Sequence, residues 1–160
     1  MRAIITGASS GMGSDFARIL SNTYDEIILV ARNKERLEKI KNELNKTNVS
    51  VKIVVMDLSV YDNCLKLHSE YSDIDLLINN AGFGDCGDFF ETDLNKEITM
   101  INTNIVACHT LTKLYLIDMM KKNKGQILNV ASIAGFMPGP LMSTYYATKS
   151  YVVRLSEGIR

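Results

Sequence analysis

A tyrosine and a lysine near the carboxyl end of the sequence are spaced so that they could transfer a proton together. Tyr145 and Lys149 are four residues apart at the start of a helical stretch, so their side chains lie on one helix face. A phenol is a poor base at neutral pH, but a nearby ammonium favours its ionised form. Tyr145 is therefore a candidate general acid and base toward a carbonyl or an alcohol. The spacing is equally that of an exposed helix pair with a weak stabilising contact.

An asparagine interrupts an apolar stripe on a long helical segment. Ile98, Ile101, Ile105 and Cys108 predict one buried face, and Asn104 falls within it. A buried amide needs hydrogen-bond partners. Asn104 is thus either a satisfied core asparagine or part of a functional site.

Three of the ten glycines occupy one short turn. Gly7, Gly11 and Gly13 follow the first apolar run. In an α/β sheet this is the turn where a dinucleotide pyrophosphate meets a helix N-terminus, and glycine lets the backbone approach the phosphates. The intervals of four and two differ from the common G-x-G-x-x-G pattern, and a tight connection between strand and helix would also use glycine.

Short apolar runs alternate with amphipathic segments, and this order predicts the fold class. The runs are rich in Ile, Val and Leu and mostly lack alternation, which is typical of strands buried on both faces of a parallel sheet. The amphipathic segments carry apolar residues at three- and four-residue spacing. The sequence therefore predicts one α/β domain over residues 1–160, with a doubly wound parallel sheet. The predicted strands are Ala3 to Thr6, Glu26 to Ala31, Val51 to Met56, Ile74 to Asn79 and Gln126 to Ala131, and the predicted helices are Met12 to Asn22, Lys34 to Asn45, Val60 to Ser69 and Leu94 to Lys122, with a last helix from about Ser143.

Polar or small residues follow every predicted strand. In open α/β sheets ligands collect at the carboxyl ends of the strands. Each of these residues also has a structural explanation, such as a helix cap or a turn. Five together at one sheet edge favour a ligand site formed by the glycine turn, Arg32, Asp57 with Leu58, the run from Asn79 to Gly82, and Ser132.

Composition excludes several other classes of protein. The 18 basic residues equal the 18 acidic ones in number, which argues against nucleic acid or an anionic membrane as partner. Cys64, Cys86 and Cys108 are evenly spread, which predicts reduced core thiols and neither disulfides nor a metal site. A turn at Gly7 leaves no room for a signal sequence, and no apolar run is long enough to span a membrane. We therefore expect a cytoplasmic protein.

Four motifs in order resemble the short-chain dehydrogenase/reductase family. They are the T-G-x-x-x-G-x-G of residues 6–13, the N-N-A-G of residues 79–82, Ser132, and the Y-x-x-x-K of residues 145–149. The set carries the resemblance, because a Tyr-x-x-x-Lys pair alone is common by chance. The resemblance implies a Rossmann-like sheet in the order 3-2-1-4-5, followed in family members by two further strands that this sequence lacks.

The same resemblance implies roles for individual residues. Ser132 would orient the substrate and help to hold negative charge on its oxygen. Lys149 would bind the nicotinamide ribose, and Asn104 would hold a water on the proton path of the lysine. The four catalytic residues would be Asn104, Ser132, Tyr145 and Lys149. The cofactor would contact Gly7, Ser9, Ser10, Gly11, Met12, Gly13, Arg32, Asp57, Leu58, Asn80, Ala81, Gly82, Tyr145 and Lys149.

The end of the second strand predicts which cofactor is used. An acidic residue there would bind the ribose 2′-OH and select NAD, but the sequence reads Ala31-Arg32. A guanidinium can pair with a 2′-phosphate, so we expect NADP(H) rather than NAD(H). Arg32 is also compatible with a solvated position at a helix start beside Arg36.

The remaining expectations concern substrate and assembly. The apolar loop of residues 135–142 lies between Ser132 and Tyr145 in sequence, which favours an apolar carbonyl or secondary alcohol substrate, although these residues could simply pack the loop. The family resemblance predicts a homo-oligomer. It also predicts a dinucleotide-binding domain that is incomplete at its carboxyl end, with weak cofactor binding and slow turnover. A nucleotide-binding or assembly protein without turnover is the alternative.

Overall fold

The protein is described by a computed structural model that covers residues 1–45 and 48–160. It contains a five-stranded parallel sheet in the order β3-β2-β1-β4-β5, as predicted. The strands are β1 (Arg2–Thr6), β2 (Glu26–Ala31), β3 (Ser50–Val55), β4 (Leu76–Asn79) and β5 (Gln126–Asn129). The helices are α1 (Gly11–Leu20), α2 (Lys34–Leu44), α3 (Tyr61–Glu70), α4 (Leu94–Ile101), α5 (Cys108–Lys122) and α6 (Ser143–Gly158), with a π-helical segment (Asn102–Ala107) and a 3₁₀ turn (Ile133–Phe136).

The sheet is buried on both faces because its central strands carry apolar residues at successive positions. On one face Ile5 and Leu29 pack with Leu37 of α2. On the other face Ile4 packs with Leu77 of β4 and with residues of α3 and α5, including Leu67 and Tyr115. The two edge strands are less buried, since Val55 of β3 and Leu128 of β5 are about half exposed.

The long helical segment from Leu94 to Lys122 is interrupted by the π-helical turn of residues 102–107. A π-helix takes more residues per turn than an α-helix, so a stripe extrapolated at 3.6 residues per turn does not hold through it. The predicted stripe is wrong at Ile98, which precedes this turn and is 47% exposed, whereas Met100 is buried. Asn104 is buried as predicted, with 2% of its surface exposed.

Candidate active site

The glycine turn between β1 and α1 packs against the end of β4. A Cβ atom at Gly7 would lie 2.8 Å from the Ala81 Cα atom, and the φ angle of Gly7 is +65°. A Cβ at Gly13 would lie 2.3 Å from the Gly7 carbonyl oxygen. Both positions therefore require glycine to bring helix, turn and strand together. Gly11 has open space around the equivalent position, so only its φ angle of +53° favours glycine.

Hydrogen bonds from β4 hold this turn in place. The buried Thr6 hydroxyl donates to the Ile78 carbonyl oxygen at 3.3 Å and accepts from the backbone N–H groups of Asn80 and Ala81, each at 3.0 Å. The Asn80 side-chain nitrogen donates to the carbonyl oxygens of Thr6 and Gly7 at 3.1 and 3.2 Å. The N-N-A-G motif thus acts through Asn80 and Ala81 as a brace for the glycine turn.

One cavity of about 620 Å³ runs along the carboxyl ends of the strands. That volume lies within the range of small-molecule and cofactor sites, roughly 300–1,000 Å³. Twelve of the predicted site residues line it: Gly7, Ser9, Ser10, Met12, Arg32, Asp57, Leu58, Asn80, Ala81, Gly82, Tyr145 and Lys149. The cavity lining does not include Gly11, Gly13, Asn104 or Ser132.

Two arginines line the end of the cavity at β2 and α2. Arg32 follows β2, and Arg36 lies in the first turn of α2, which begins where the Asn33 side chain accepts a hydrogen bond from the Arg36 N–H at 2.9 Å. Both arginines are exposed. Asp57 brings one opposing charge, with its Oδ2 atom 3.9 Å from Arg32 Nη1. Its Oδ1 atom accepts from the Ser59 N–H at 2.9 Å, so Asp57 also has the structural role in the turn before α3 that its position suggested.

Lys149 is buried at the other end of the cavity. Its Nζ atom donates to the Val130 carbonyl oxygen at 2.9 Å and lies 5.9 Å from the centre of the Tyr145 ring. Burial lowers the pKa of this ammonium below its ordinary value, because the charged form loses hydration. Tyr145 is half-buried and also lines the cavity. The predicted pair therefore lies at one end of the cavity, on a common face of α6.

The Asn104 amide makes three hydrogen bonds to protein groups. Its Oδ1 atom accepts from the Phe83 N–H at 3.1 Å, and its Nδ2 atom donates to the Phe83 carbonyl oxygen at 2.9 Å and to the Thr148 hydroxyl at 3.0 Å. Thr148 in turn donates to the Tyr145 carbonyl oxygen at 2.7 Å. Asn104 thus links the loop after β4 to the turn of α6 that carries Tyr145 and Lys149.

Ser132 is the N-cap of the 3₁₀ turn. Its Oγ atom accepts from the Ala134 N–H at 3.2 Å. That contact leaves the hydroxyl hydrogen of Ser132 for another partner.

The apolar loop before α6 is only partly where the sequence suggested. Phe136, Met137, Pro138, Gly139 and Pro140 lie with Tyr146, Ala147, Ser150 and Arg154 around a separate groove on another face of α6. Leu141 and Met142 instead meet the loop after β4, where the Gly87 N–H donates to the Leu141 carbonyl oxygen at 2.8 Å. Position between two site residues in sequence does not decide which side of a helix a loop covers.

Several cavity residues were not predicted from the sequence: Val30, Ala31, Asn33, Arg36, Met56, Phe83, Gly84, Thr103, Val130 and Ala131. Arg36 had a signal, since it lies four residues after Arg32 in a first helical turn. Phe83 and Gly84 directly follow the N-N-A-G motif. The apolar and small residues among them have no chemical signal in the sequence.

The cysteines match the prediction in two cases of three. Cys64 and Cys108 are buried free thiols, and burial raises the pKa of each to about 11. Cys86 is exposed in the loop after β4, so its assignment to the core is wrong. Within residues 1–45 and 48–160, no group of His, Cys, Asp and Glu has the arrangement of a metal site. None of the helices in these ranges has the length and apolar character that crossing a membrane requires.

Comparisons with known proteins agree with this geometry. The family model for short chain dehydrogenases matches residues 1–160. The very-long-chain 3-oxoacyl-CoA reductase of Anas platyrhynchos is 34% identical over 166 residues, a match that covers 98% of this chain and 53% of that protein. The chain therefore spans about half the length of this relative.

Solved structures of the same family share the fold. A short-chain dehydrogenase from Sphingobium yanoikuyae in complex with NADPH is 31% identical with a TM-score of 0.93, over 99% of this chain and 63% of that one. A short-chain dehydrogenase/reductase from Burkholderia phymatum in complex with NAD is 28% identical with a TM-score of 0.91, over 99% of this chain and 58% of that one. Related structures thus bind nicotinamide cofactors of both kinds. By its matched family model, its sheet order and its sequence relatives, the chain belongs to the short-chain dehydrogenase/reductase family of oxidoreductases.

Proposed function

We propose that this protein transfers a hydride between NADP(H) and a carbonyl or secondary alcohol substrate. One observation carries the proposal: a single cavity extends from the glycine turn and two arginines to Tyr145 and Lys149. The extent of this cavity and its volume suit a dinucleotide whose nicotinamide lies near Tyr145. The cofactor supplies the hydride, and the protein supplies binding, orientation and the proton.

The choice of NADP(H) rests on charge at the adenosine end. Arg32 and Arg36 present two guanidinium groups where a 2′-phosphate would lie, and Ala31 ends β2 without a carboxylate. Guanidinium groups bind phosphate through paired, charge-assisted hydrogen bonds. Asp57 opposes this preference, because it already pairs with Arg32. Solved relatives bind NADPH in one case and NAD in another, so the proposed preference rests on the arginines and not on the comparisons.

Four side chains of the proposed site would act on the substrate oxygen and its proton. The Tyr145 phenol would give a proton to the developing alkoxide during reduction and take it back during oxidation. The Lys149 ammonium would favour the ionised phenol and contact the ribose. Ser132 can donate its free hydroxyl hydrogen to the same substrate oxygen, because its Oγ already accepts from Ala134. Asn104 would support the lysine side of the site, and its amide bonds to Phe83 and Thr148 favour a positioning role.

A ketone is the substrate class that the relatives favour. The Anas platyrhynchos relative is named as a 3-oxoacyl-CoA reductase, an enzyme that acts on a ketone of an acyl chain. Leu141 and Met142 place apolar surface beside the loop that contacts Tyr145. We therefore propose an apolar ketone or the corresponding secondary alcohol.

We also propose a cytoplasmic location and a homo-oligomer. Light scattering tests the oligomeric state.

The experiment uses the 160-residue chain with its mass of 17.9 kDa verified. Fluorescence titration with NADPH and NADH measures binding, and a panel of ketones with NADPH measures turnover. We expect tighter binding of NADPH than NADH, and turnover that Tyr145→Phe reduces by about 100-fold or more, the range of general acid–base catalysis. Binding without any turnover would support a nucleotide-binding protein instead. Turnover that survives Tyr145→Phe would contradict the assigned acid and base.

A further inference from the structure

The loop after β4 lies close to the Tyr145 ring at a residue that has no side chain. A Cβ atom at Gly84 would lie 3.1 Å from Tyr145 Cδ2, 3.2 Å from Tyr145 Cγ and 3.3 Å from Met142 Cε. These separations are tighter than ordinary van der Waals contact. A side chain at position 84 would therefore crowd the phenol ring.

Both sides of this contact are held by the same amide. Asn104 accepts from and donates to the backbone of Phe83, the residue before Gly84. It also donates to Thr148, whose hydroxyl is bonded to the Tyr145 carbonyl oxygen. The distance between loop and helix is thus set by three hydrogen bonds of one buried side chain. A retreat of the loop backbone or of the α6 backbone would lengthen these hydrogen bonds.

The phenol ring itself has room to move. Tyr145 is half-buried and lines the open cavity, whereas Asn104 and Thr148 beneath it are buried. An added methyl at Gly84 would therefore tilt the ring toward the cavity instead of displacing the backbone. The contact is at Cγ and Cδ2, close to the base of the ring, and Oη lies at the far end. A small tilt at the base consequently displaces the reacting oxygen by more.

We propose that Gly84 is a positioning residue, which fixes the place of the Tyr145 phenol by leaving no side chain between the loop backbone and the ring. The consequence for catalysis rests on the proposed function, in which Tyr145 transfers the proton. Proton transfer requires the donor and acceptor within hydrogen-bond distance, so a displaced phenol slows the chemical step more than it weakens cofactor binding.

The chain offers a matched control in the same loop. A Cβ at Gly87 would lie 3.0 Å from the Thr92 Cγ2 atom, a methyl group that lies away from the site. Neither glycine has the positive φ that would strain an alanine. Gly84→Ala and Gly87→Ala therefore introduce the same methyl with a similar degree of crowding, and they differ in whether the neighbour is the Tyr145 ring.

The test measures ring position independently of turnover. The 160-residue chain is produced with tyrosine labelled with ¹³C at the ζ carbon, and the resonance lost in Tyr145→Phe assigns Tyr145 among the seven tyrosines. We expect Gly84→Ala to move the Tyr145 resonance, with a smaller change at Tyr146, and Gly87→Ala to leave both in place. An unmoved Tyr145 resonance in Gly84→Ala would overturn the proposal. Loss of all seven native resonances would overturn it as well, because the backbone and not the ring would then have given way.

Turnover with NADPH and a ketone tests the catalytic consequence. We expect Gly84→Ala to lower kcat by about tenfold and to displace the pH profile of the rate, since misplacement near 1 Å can cost about 100-fold. The Kd for NADPH should change much less than kcat, and Gly87→Ala should behave as the unmodified chain. If the unmodified chain has no turnover while the Tyr145 resonance still responds to Gly84→Ala, the proposed function fails and the positioning contact stands.

Discussion

The Lys149 ammonium donates a hydrogen bond to the Val130 carbonyl oxygen at 2.9 Å. This bond joins α6 to the segment after β5, and it holds a cation in a place where burial disfavours charge. The carbonyl offsets part of the lost hydration, and the remaining ammonium hydrogens can donate to acceptor atoms of a molecule bound in the adjoining cavity.

The lowered pKa of Lys149 predicts a pH-dependent stability. Because the folded-state pKa lies below the ordinary value of 10.5, the unfolded chain binds more protons between the two values. The free energy of unfolding should therefore rise with pH through that window, relative to a Lys149→Met variant that cannot titrate. Urea unfolding at several pH values between 7 and 10.5 measures the difference. Exposed Lys39→Met is the control and should track the unmodified chain. A difference between Lys149→Met and the unmodified chain that is constant with pH would contradict the prediction.

Two glycine-to-alanine substitutions in helices should differ in how much they change stability. At Gly13 the new methyl would meet the Gly7 carbonyl oxygen at 2.3 Å and the Asn80 side-chain nitrogen at 2.6 Å, and the Gly7 backbone cannot move aside as the end of a flexible side chain could. We expect Gly13→Ala to lower the free energy of unfolding by about 1–3 kcal/mol or more. Gly158→Ala has open space near the end of α6 and should change it by less than about 1 kcal/mol. Chemical denaturation distinguishes them, and equal stability of the two variants would refute the packing role of Gly13.

The two arginines predict how cofactor preference responds to mutation. Arg32→Ala and Arg36→Ala should each weaken NADPH binding by about tenfold, equivalent to ~1.4 kcal/mol, and leave NADH binding nearly unchanged. Asp57→Asn should strengthen NADPH binding, because it removes a carboxylate that pairs with Arg32. Fluorescence titrations with both nucleotides at fixed ionic strength measure these effects. A loss of affinity shared equally by NADH would show that the arginines do not recognise the 2′-phosphate.

A contact between α3 and α5 predicts acid sensitivity. The Asp118 Oδ2 atom lies 2.7 Å from His68 Nε2, and this hydrogen bond holds the pKa of Asp118 below the ordinary 3.8. A folded-state pKa below the unfolded value stabilises the protein above pH 3.8, and the contribution is lost as the pH falls through the lowered pKa. Asp118→Asn should thus lower the free energy of unfolding by about 1 kcal/mol at pH 6 and by less at pH 3.

The same measurement in a Lys121→Ala background separates the two partners of Asp118. Lys121 Nζ lies 3.4 Å from the Asp118 Oδ1 atom and is exposed, so it should contribute little. If the effect of Asp118→Asn disappears in that background, the lysine and not the histidine stabilises the carboxylate.

The sheet could be predicted because each strand and each helix has a recognisable apolar pattern of its own in the sequence. Continuous apolar strands and amphipathic helices in alternation predicted a doubly wound parallel sheet. The family resemblance implied the strand order 3-2-1-4-5, which is the order observed. The turn after β1 was also predictable. A Cβ atom at position 7 or 13 would lie too close to neighbouring backbone atoms, so both positions require glycine. Element ends moved by one or two residues in most cases, as hydrogen bonding at termini depends on neighbours that the sequence does not reveal.

The side-chain partners in the site were beyond the sequence. Spacing placed Tyr145 and Lys149 on one helix face, but the hydrogen bond from Lys149 to Val130 depends on the path of the chain after β5. Arg36 was weighed only as a solvated residue because its place at the cavity follows from the position of α2 against β2. Cys86 was assigned to the core from spacing alone, which says nothing about exposure.

The hydrogen bonds of the Thr6 hydroxyl limit which residues can replace threonine at the end of β1. Its one hydrogen and both its lone pairs are occupied, toward Ile78, Asn80 and Ala81. Valine has the same shape and would leave two backbone N–H groups without an acceptor, while serine would keep the oxygen and lose only a methyl group. At this buried position stability therefore depends more on keeping the hydroxyl oxygen than on keeping the side-chain volume. The apolar residues that precede Thr6 along the strand differ in this respect.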